Sequence, residues 1–338
     1  MVKLGDVCTK GSSSITLKDL EERDGCYPIY GASGFIKNVD FYQQEQPYVA
    51  VVKDGAGVGR VMCLPAKSSV IGTMQYIIPN DGVNVKYLVY ALEYMNLAKY
   101  YTGATIPHIY FKDYCKELLP SHTKEEQEHI ATVLNNVEGL IALRKEQITR
   151  LEPLIKSRFT EMFNTKDFPL VAVEAIAQQV FAGGDKPKDM QVSKDAEHCY
   201  PVFANGESNY GLQGFSRTCK VKFPALTVSA RGTVGYCCIR EAGFTPIVRL
   251  VTLVPKDCVS LIYLKEAICF TGVGASGAVQ AQLTVPNFKK LQIPLPPMDL
   301  QNQFAAFVEQ IDKSKFELKQ SLEKLETLKK SLMQQYFG

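Results

Sequence analysis

The chain has 338 residues, of which 46% are apolar and 22% charged, and its formal net charge is +3. That length accommodates two ordinary globular domains, and that apolar share excludes a disordered chain. The near-neutral balance excludes a protein that coats nucleic acid by bulk charge, but not a sequence reader whose positive charge is local and whose specificity comes from base edges.

The opening stretch, Met1-Val2-Lys3-Leu4-Gly5-Asp6, lacks the charged-then-apolar pattern of a secretion signal. No apolar run approaches the ~20 residues of a membrane helix. A cytoplasmic protein without membrane association is expected. Ten cysteines are present without any CxxC pair, and Cys237 and Cys238 are adjacent, so reduced thiols are expected rather than disulfides. With four histidines, none at ligand spacing from a cysteine pair, no metal site is expected.

In chain order, the first strand-like stretches are residues 48–52 (Tyr-Val-Ala-Val-Val), 61–64 and 74–78, rich in β-branched and aromatic residues. Between the first two lies Lys53-Asp54-Gly55-Ala56-Gly57-Val58-Gly59-Arg60. This run matches neither GxGxxG followed by a helix nor GxxxxGK[ST], so a nucleotide-binding loop is rejected. A glycine-bearing turn joining two strands fits better.

A long amphipathic helix follows, about 124–163. Leu134, Ile141, Ile148, Ile155 and Met162 recur every seventh residue, and Val137 and Leu151 fill a second seam position that Arg144 and Arg158 otherwise occupy. Pro153 should kink or break this helix, because it removes a backbone hydrogen bond.

The second half repeats the plan. Tyr200-Pro201-Val202-Phe203 answers Tyr27-Pro28-Ile29-Tyr30, and Ser229-Ala230-Arg231-Gly232-Thr233-Val234-Gly235 answers the first glycine turn. Strands are expected around 226–228 and over 249–254. From Gly103-Ala104 and Gly277-Ala278 onward the two halves run in one register without gaps: Pro120 with Pro294, Gln127 with Gln301, Lys145 with Lys319, Phe163 with Phe337. A second long helix, about 299–336, carries Ile311, Leu318, Leu325 and Leu332 at heptad spacing, and its other seam position alternates Val308, Lys315, Leu322, Lys329 and Tyr336. Neither seam is stable in water alone, so the helices should pair as an antiparallel coiled coil. A rod of that length would be about 57 Å long.

The expected fold class is therefore α+β: two repeated mixed domains, 1–120 and 168–294, each followed by a spacer helix, 121–164 and 295–338. The polar boundary is Asn164-Thr165-Lys166-Asp167. Both glycine turns carry basic residues, Lys53 and Arg60 in one and Arg231 with Thr233 in the other. Glycine permits close backbone approach, and arginine is the usual reader of guanine edges and phosphates. Lys37, Asn38, Asn205, Asn209, Arg217, Lys220, Lys222 and Arg249 are further candidate DNA contacts. The frames of the two halves match better than these polar positions do, as expected if each half reads a different sequence. The first half is weakly acidic and the second weakly basic, so positive charge must be clustered locally.

The segments Leu118-Leu119-Pro120 with Glu125-Glu126-Gln127 and Ile130, and Ile293-Pro294-Leu295-Pro296-Pro297 with Gln301 and Phe304, resemble the Pro-to-helix segment of type I restriction-modification specificity subunits. The helix ends Lys156-Ser157-Arg158-Phe159 with Phe163, and Lys330-Ser331-Leu332 with Phe337, resemble the same family, as does the opening Val2-Lys3-Leu4-Gly5-Asp6-Val7. Ser121-His122 replaces the family's second proline in the first half, and the chain is short for the family. The resemblance implies a non-catalytic subunit without cofactor whose two target-recognition domains bind the halves of a split double-stranded DNA target. It also implies that the helices set the spacing and dock methyltransferase subunits, two in number, with restriction subunits joining that core. No [DNS]PP[YF] methyltransferase tetrapeptide or Walker lysine loop is present. The alternatives are a coiled-coil protein scaffold without DNA binding and the specificity subunit of a related fused restriction system.

Overall fold

The computed structural model describes residues 1–103, 107–164, 168–272 and 282–338. Ala104, the Gly277-Ala278 pair and the expected boundary residues Thr165, Lys166 and Asp167 lie outside the described residues. The chain divides into two compact units, one of residues 1–145 with 320–338 and one of residues 146–319.

Each unit is built on the same two larger sheets, with a two-stranded pair beside them. In the first, the strands Cys8–Ser12, Met74–Pro79, Tyr48–Val52 and Val61–Leu64 lie side by side in that order, all antiparallel. A second sheet pairs Tyr27–Gly31 antiparallel with Gly34–Val39 and parallel with Ser69–Val70. The second unit repeats this with Ala177–Ala182, Val251–Pro255, Ala225–Val228 and Cys237–Arg240, and with Tyr200–Phe203 between Leu212–Ser216 and Thr245–Pro246. The central strand Tyr48–Val52 is buried along its whole length. Its period of two explains the layering. Val49 and Val51 face a core shared with the helix Val85–Met95, whereas Tyr48, Ala50 and Val52 face a second cluster. The polar atoms taken along are satisfied: Ser68 Oγ donates to the Tyr48 hydroxyl at 3.0 Å, and the Tyr76 hydroxyl donates to Gln43 Oε1 at 2.6 Å.

The expected strands at 48–52, 61–64 and 74–78 form, and the glycine run does join two antiparallel strands. Residues 249–254 differ from expectation. The strand is Val251–Pro255, and Arg249 belongs to a tight turn before it, with φ of +60°.

The first long helix is Lys124–Phe159 and continues as a wider turn through Asn164; the second is Met298–Phe337. A capping box starts the first: the Thr123 hydroxyl accepts from the Glu126 amide at 3.3 Å, and the Glu126 carboxylate accepts from the Thr123 amide at 2.7 Å. The helix runs through Pro153 without the expected break; the proline sits at an exposed position.

In the first unit the beginning of one long helix lies antiparallel to the end of the other. Lys329 reaches Glu138 at 2.5 Å and Glu93 at 3.3 Å, Lys145 reaches Glu326 at 3.2 Å, and Arg144 Nε donates to Ser321 at 3.3 Å. The second unit contains the complementary ends, with Glu152 3.7 Å from Lys315, the Arg158 guanidinium over the Phe307 ring, and Phe159 5.6 Å ring to ring from Phe304. The basic interruptions of each seam thus find partners. Leu134 and Ile311 are buried, and Ile141, Ile148, Ile155, Leu318, Leu325 and Leu332 are half-buried.

The repeated glutamine explains the fixed register between the proline segment and its helix. Gln127 is 9% exposed; its Oε1 accepts from the Asn84 amide at 3.0 Å and its Nε2 donates to the His122 carbonyl at 3.0 Å. Gln301, fully buried, accepts from the Ser260 amide at 2.9 Å and donates to the Pro296 and Cys258 carbonyls at 2.8 and 3.3 Å. One amide side chain therefore ties the start of the short helix to the start of the long one. The hydroxyls of Tyr87 and Tyr263 add equivalent bonds to the carbonyls of Pro120 and Pro294, at 3.2 and 2.6 Å. Replacing Gln301→Ala strands a buried amide and two carbonyls and should cost about 3 kcal/mol of stability. Urea unfolding checks this, and a loss below about 0.5 kcal/mol, the usual size of a surface substitution, would contradict the role.

Candidate nucleic-acid interface

In the first unit the turn 53–60 is held at both ends. The Gly59 amide donates to the Val52 carbonyl at 2.8 Å and the Val52 amide donates to Arg60 at 2.9 Å. Gly59 has φ of +85°, and a Cβ there would come within 2.5 Å of the Ala98 backbone nitrogen, so only glycine fits. The turn is stitched to residues 107–109: the Gly55 amide donates to the Pro107 carbonyl, the Ile109 amide donates to the Lys53 carbonyl, and Asp54 pairs with the His108 imidazole. His108 packs edge-on against the half-exposed ring of Tyr110 at 4.1 Å.

Of the basic candidates here, Arg60 lines an open concavity of about 330 Å³ with Ala32, Ser33 and Ala56, and its Nη1 donates to the Ala32 carbonyl at 2.9 Å. Lys53 lies 3.9 Å from the Asp54 carboxylate and is partly covered. Lys37 turns away: its Nζ meets the Leu20 carbonyl at 3.1 Å and Asp24 at 2.7 Å. Asn38 is exposed, but as the next residue of a strand it points to the opposite face from Lys37, so the structure does not bring the two together.

In the second unit three turns are joined. Asn205 does most of this: its Nδ2 donates to the Val248 carbonyl at 2.7 Å and its Oδ1 accepts from the Ala230 amide at 2.7 Å. Ser229 Oγ accepts from the Gly206 amide at 3.2 Å. Turns 205–210, 229–236 and 247–249 therefore form one surface. Four non-glycine residues on it are left-handed: Asn209, Tyr210, Val248 and Arg249, with φ from 46° to 60°. Each such residue costs about 1 kcal/mol or more and persists only where its surroundings impose it, which is common at binding surfaces. For β-branched Val248 the strain is greatest.

Beneath this surface lies Arg240, 6% exposed, stacked 3.7 Å from the Phe203 ring centre. Its Nε donates to Thr227 Oγ1 at 3.0 Å and its Nη2 to the Tyr210 carbonyl at 2.6 Å. Burial pulls its pKa down from the ordinary arginine value. Among the described residues no carboxylate forms a salt bridge with it, and it holds the backbone of Tyr210, a residue 65% exposed.

Arg231, Thr233, Arg249 and Lys220 are exposed on or beside this surface. Arg231 meets Gln282, whose amide oxygen, in the orientation that satisfies both groups, accepts from Nε and Nη2 at 3.3 and 3.2 Å. The Arg249 amide donates to the Gly183 carbonyl at 3.0 Å, and the Lys220 ammonium lies 3.0 Å from where a Cβ on neighbouring Gly184 would stand. Lys222 is exposed beside the exposed Phe223. Arg217 does not join them: it is engaged by Glu197 at 2.8 Å and His198 at 3.2 Å, and its amide donates to Asp189, whose carboxyl that hydrogen bond holds below the usual range.

The corner beside the glycine turn thus differs in charge between the repeats. Asp54 with His108 occupies it in the first, Arg231 with Gln282 in the second. His108, Tyr110, Tyr210, Arg240 and Gln282 were not candidates on sequence grounds. His108, Tyr210, Arg240 and Gln282 join the surface through partners tens of residues away, which no local spacing reveals, and Tyr110 joins it by packing on His108.

The sequence profile of the type I restriction modification DNA specificity domain matches residues 1–153 and again residues 177–330. A Mycoplasma pneumoniae protein described as a type I specificity subunit is 27% identical over 321 residues, covering 90% of this chain and 86% of that protein. The specificity subunit of a type I restriction enzyme from Methanocaldococcus jannaschii is 24% identical over 222 residues, covering 63% of this chain and 47% of that one. Among solved structures, the S subunit of a type I restriction-modification system from M. genitalium shares the fold, with a TM-score of 0.70 over 100% of this chain and 95% of that one at 15% identity.

The Asn205→Ala variant loses both bonds that join the three turns. It should lose about 1–3 kcal/mol of local stability and exchange the Ala230 amide hydrogen faster, while exchange in residues 1–103 stays as in the parent. Hydrogen exchange read by mass spectrometry checks this; unchanged protection at 205–210 and at Ala230 would contradict the joining role.

Proposed function

Since the chain belongs to the type I restriction-modification DNA specificity family, we propose that it reads a bipartite double-stranded DNA target, with residues 1–120 and 168–294 as its two target-recognition domains. The observation that carries this reading is the repeated turn surface with a different charge at the same corner. Two copies of one frame present Asp54 and His108 in one case and Arg231 and Gln282 in the other, as two different half-sites require.

In the second half-site, Arg231, Thr233, Arg249 and Lys220 supply contacts around Tyr210 and the strained turns, and Lys222 and Asn209 lie at the margin. In the first, Arg60, Lys53 and the exposed Asn38 are the contacts. Lys37 and Arg217 act through the loops they brace, since carboxylates already engage them. Backbone amides and lysines grip phosphates, and base edges supply the specificity.

The spacer helices, 121–164 and 295–338, set the unread gap between half-sites and dock two methyltransferase subunits, to which restriction subunits join. Leu140, Leu143, Leu154, Phe316 and Leu328 support this, because they are large apolar side chains exposed on the helices by 44–62%. Chemistry on the DNA resides in those partners. This chain contributes recognition and assembly and uses no cofactor.

The test is selection of bound DNA from a random library by the complex assembled on the tagged chain, repeated with Arg231→Ala. The parent should enrich a split motif with a fixed gap. The variant should relax one position of one half-site, losing about 1–3 kcal/mol there, and leave the other half-site intact. A uniform loss across all sequences would reduce Arg231 to a phosphate contact, and no enriched motif from the parent would overturn the DNA-reading function.

A further inference from the structure

One backbone hydrogen bond recurs at the same place in both repeats. The Ile109 amide donates to the Lys53 carbonyl at 2.9 Å, and the Leu283 amide donates to the Ala230 carbonyl at 3.1 Å. The glycine turns that it braces are closed alike, by the Gly59 amide on the Val52 carbonyl at 2.8 Å and by the Gly235 amide on the Ser229 carbonyl at 2.9 Å. The residues flanking this bond are therefore equivalent: Asp54 follows Lys53 as Arg231 follows Ala230, and His108 precedes Ile109 as Gln282 precedes Leu283. Each repeat pairs its two flanking side chains, Asp54 with His108 and Arg231 with Gln282.

The two pairs present opposite hydrogen-bond polarity. The Asp54 carboxylate faces His108 Nδ1, and a carboxylate can only accept, so the proton belongs on Nδ1. In the neutral ring the other nitrogen, Nε2, is then an acceptor. The ring is fixed by its surroundings. The His108 amide and carbonyl bond to Thr102 at 2.9 and 2.8 Å, the Tyr110 ring packs edge-on against the imidazole, and the Lys53 ammonium lies 3.9 Å from the other Asp54 oxygen. The His108 side chain remains 28% exposed. In the second unit Arg231 and Gln282 are both exposed. Arg231 gives Nε and Nη2 hydrogens to the Gln282 oxygen, in the orientation that satisfies both groups, which leaves its Nη1 hydrogens as donors and no acceptor.

We propose that this corner reads one base in each half-site and that the side-chain pair sets the polarity it reads, an assignment that rests on the DNA-reading function proposed above. In the first half-site His108 Nε2 accepts from an exocyclic amino group, adenine N6 or cytosine N4, and Asp54 is its positioning residue. In the second, Arg231, positioned by Gln282, donates to guanine O6 and N7. All of these base atoms lie on the major-groove edge, where donors and acceptors distinguish the four pairs. A reader fixed by packing and by a second side chain keeps its orientation when DNA arrives, which is what discrimination between a donor and an acceptor demands. One backbone frame thus serves two unlike base contacts by exchange of two side chains.

The test starts from the split motif that the complex assembled on the tagged full-length chain selects from a random library, and from the base pairs that His108→Ala and Arg231→Ala each relax. Duplexes carrying the motif are then made with single base groups missing at those pairs. At the His108 pair, removing the amino group, with purine for adenine or 2-pyrimidinone for cytosine, should weaken binding of the parent about tenfold and leave binding of His108→Ala unchanged. Asp54→Ala should reduce that response without moving the other positions. The double variant Asp54→Arg with His108→Gln, which carries the second repeat's pair, should respond there to 7-deazaguanine instead. At the Arg231 pair, guanine with cytosine, 7-deazaguanine should weaken the parent and not Arg231→Ala. Circular dichroism melts establish that the variants are folded. An amino-group loss felt equally by the parent and His108→Ala, a uniform loss or no relaxed pair in the first half-site of His108→Ala, or an Arg231 pair without guanine would overturn the polarity assignment, while the selected motif leaves the DNA-reading function standing. A parent that selects no motif overturns that function and the assignment together.

Discussion

The structure depends on a hydrophobic constraint: each repeat buries the start of its own long helix but not its end. Each long helix carries an apolar seam that water would expose, and each compact unit is completed by the helix end of the other repeat. Phe337, at the end of the second helix, packs against the ring of Tyr87 at 5.3 Å and belongs to the core of the first unit with Met333. Phe159 and Phe163, at the end of the first helix, pack against Tyr263 and Phe304 in the core of the second. Burying a phenylalanine is worth about 1.5–3 kcal/mol, which is large against the few kcal/mol that separate folded from unfolded chains. The exchange of helix ends is therefore a condition of each unit's stability, and within each unit it requires the two helices to run antiparallel.

With the frame secured in this way, the turns are free to be strained and to differ. The second unit supports four left-handed residues and a buried guanidinium, costs that only a well-packed sheet beneath them can offset. The two copies keep their sheets, their glutamine anchors and their tyrosine-to-carbonyl bonds. They diverge at the corner beside the glycine turn. Shared scaffold and divergent surface are what a reader of two unlike half-sites requires.

Much of this was legible in the sequence because periodicity and repetition are properties of the chain itself. The central strand at 48–52, the glycine hairpin and both long helices follow from period two, a turn signal and a heptad. The constant register from Pro120 to Phe163 and from Pro294 to Phe337 has a structural cause in Gln127 and Gln301, each bonded to backbone some forty residues away. What could not be read was anything set by tertiary neighbours. Lys37 and Arg217 looked like free cations but are held by Asp24 and Glu197. Arg249 read as part of a strand because apolar residues follow it, yet the hydrogen bond from its amide to the Gly183 carbonyl holds it in a turn. Pro153 looked like a kink or a break, and the helix runs on through it without breaking, since one missing backbone bond is small against the packing beyond it.

The exchange of helix ends is tested most directly by hydrogen exchange across the whole chain in the Phe337→Ala variant. The loss should be about 3–5 kcal/mol and should fall on the first unit, with protection reduced over Val85–Met95 and kept over Leu261–Thr271. Reduced protection in the second unit with the first unchanged would contradict the account, because Phe337 would then be completing its own repeat.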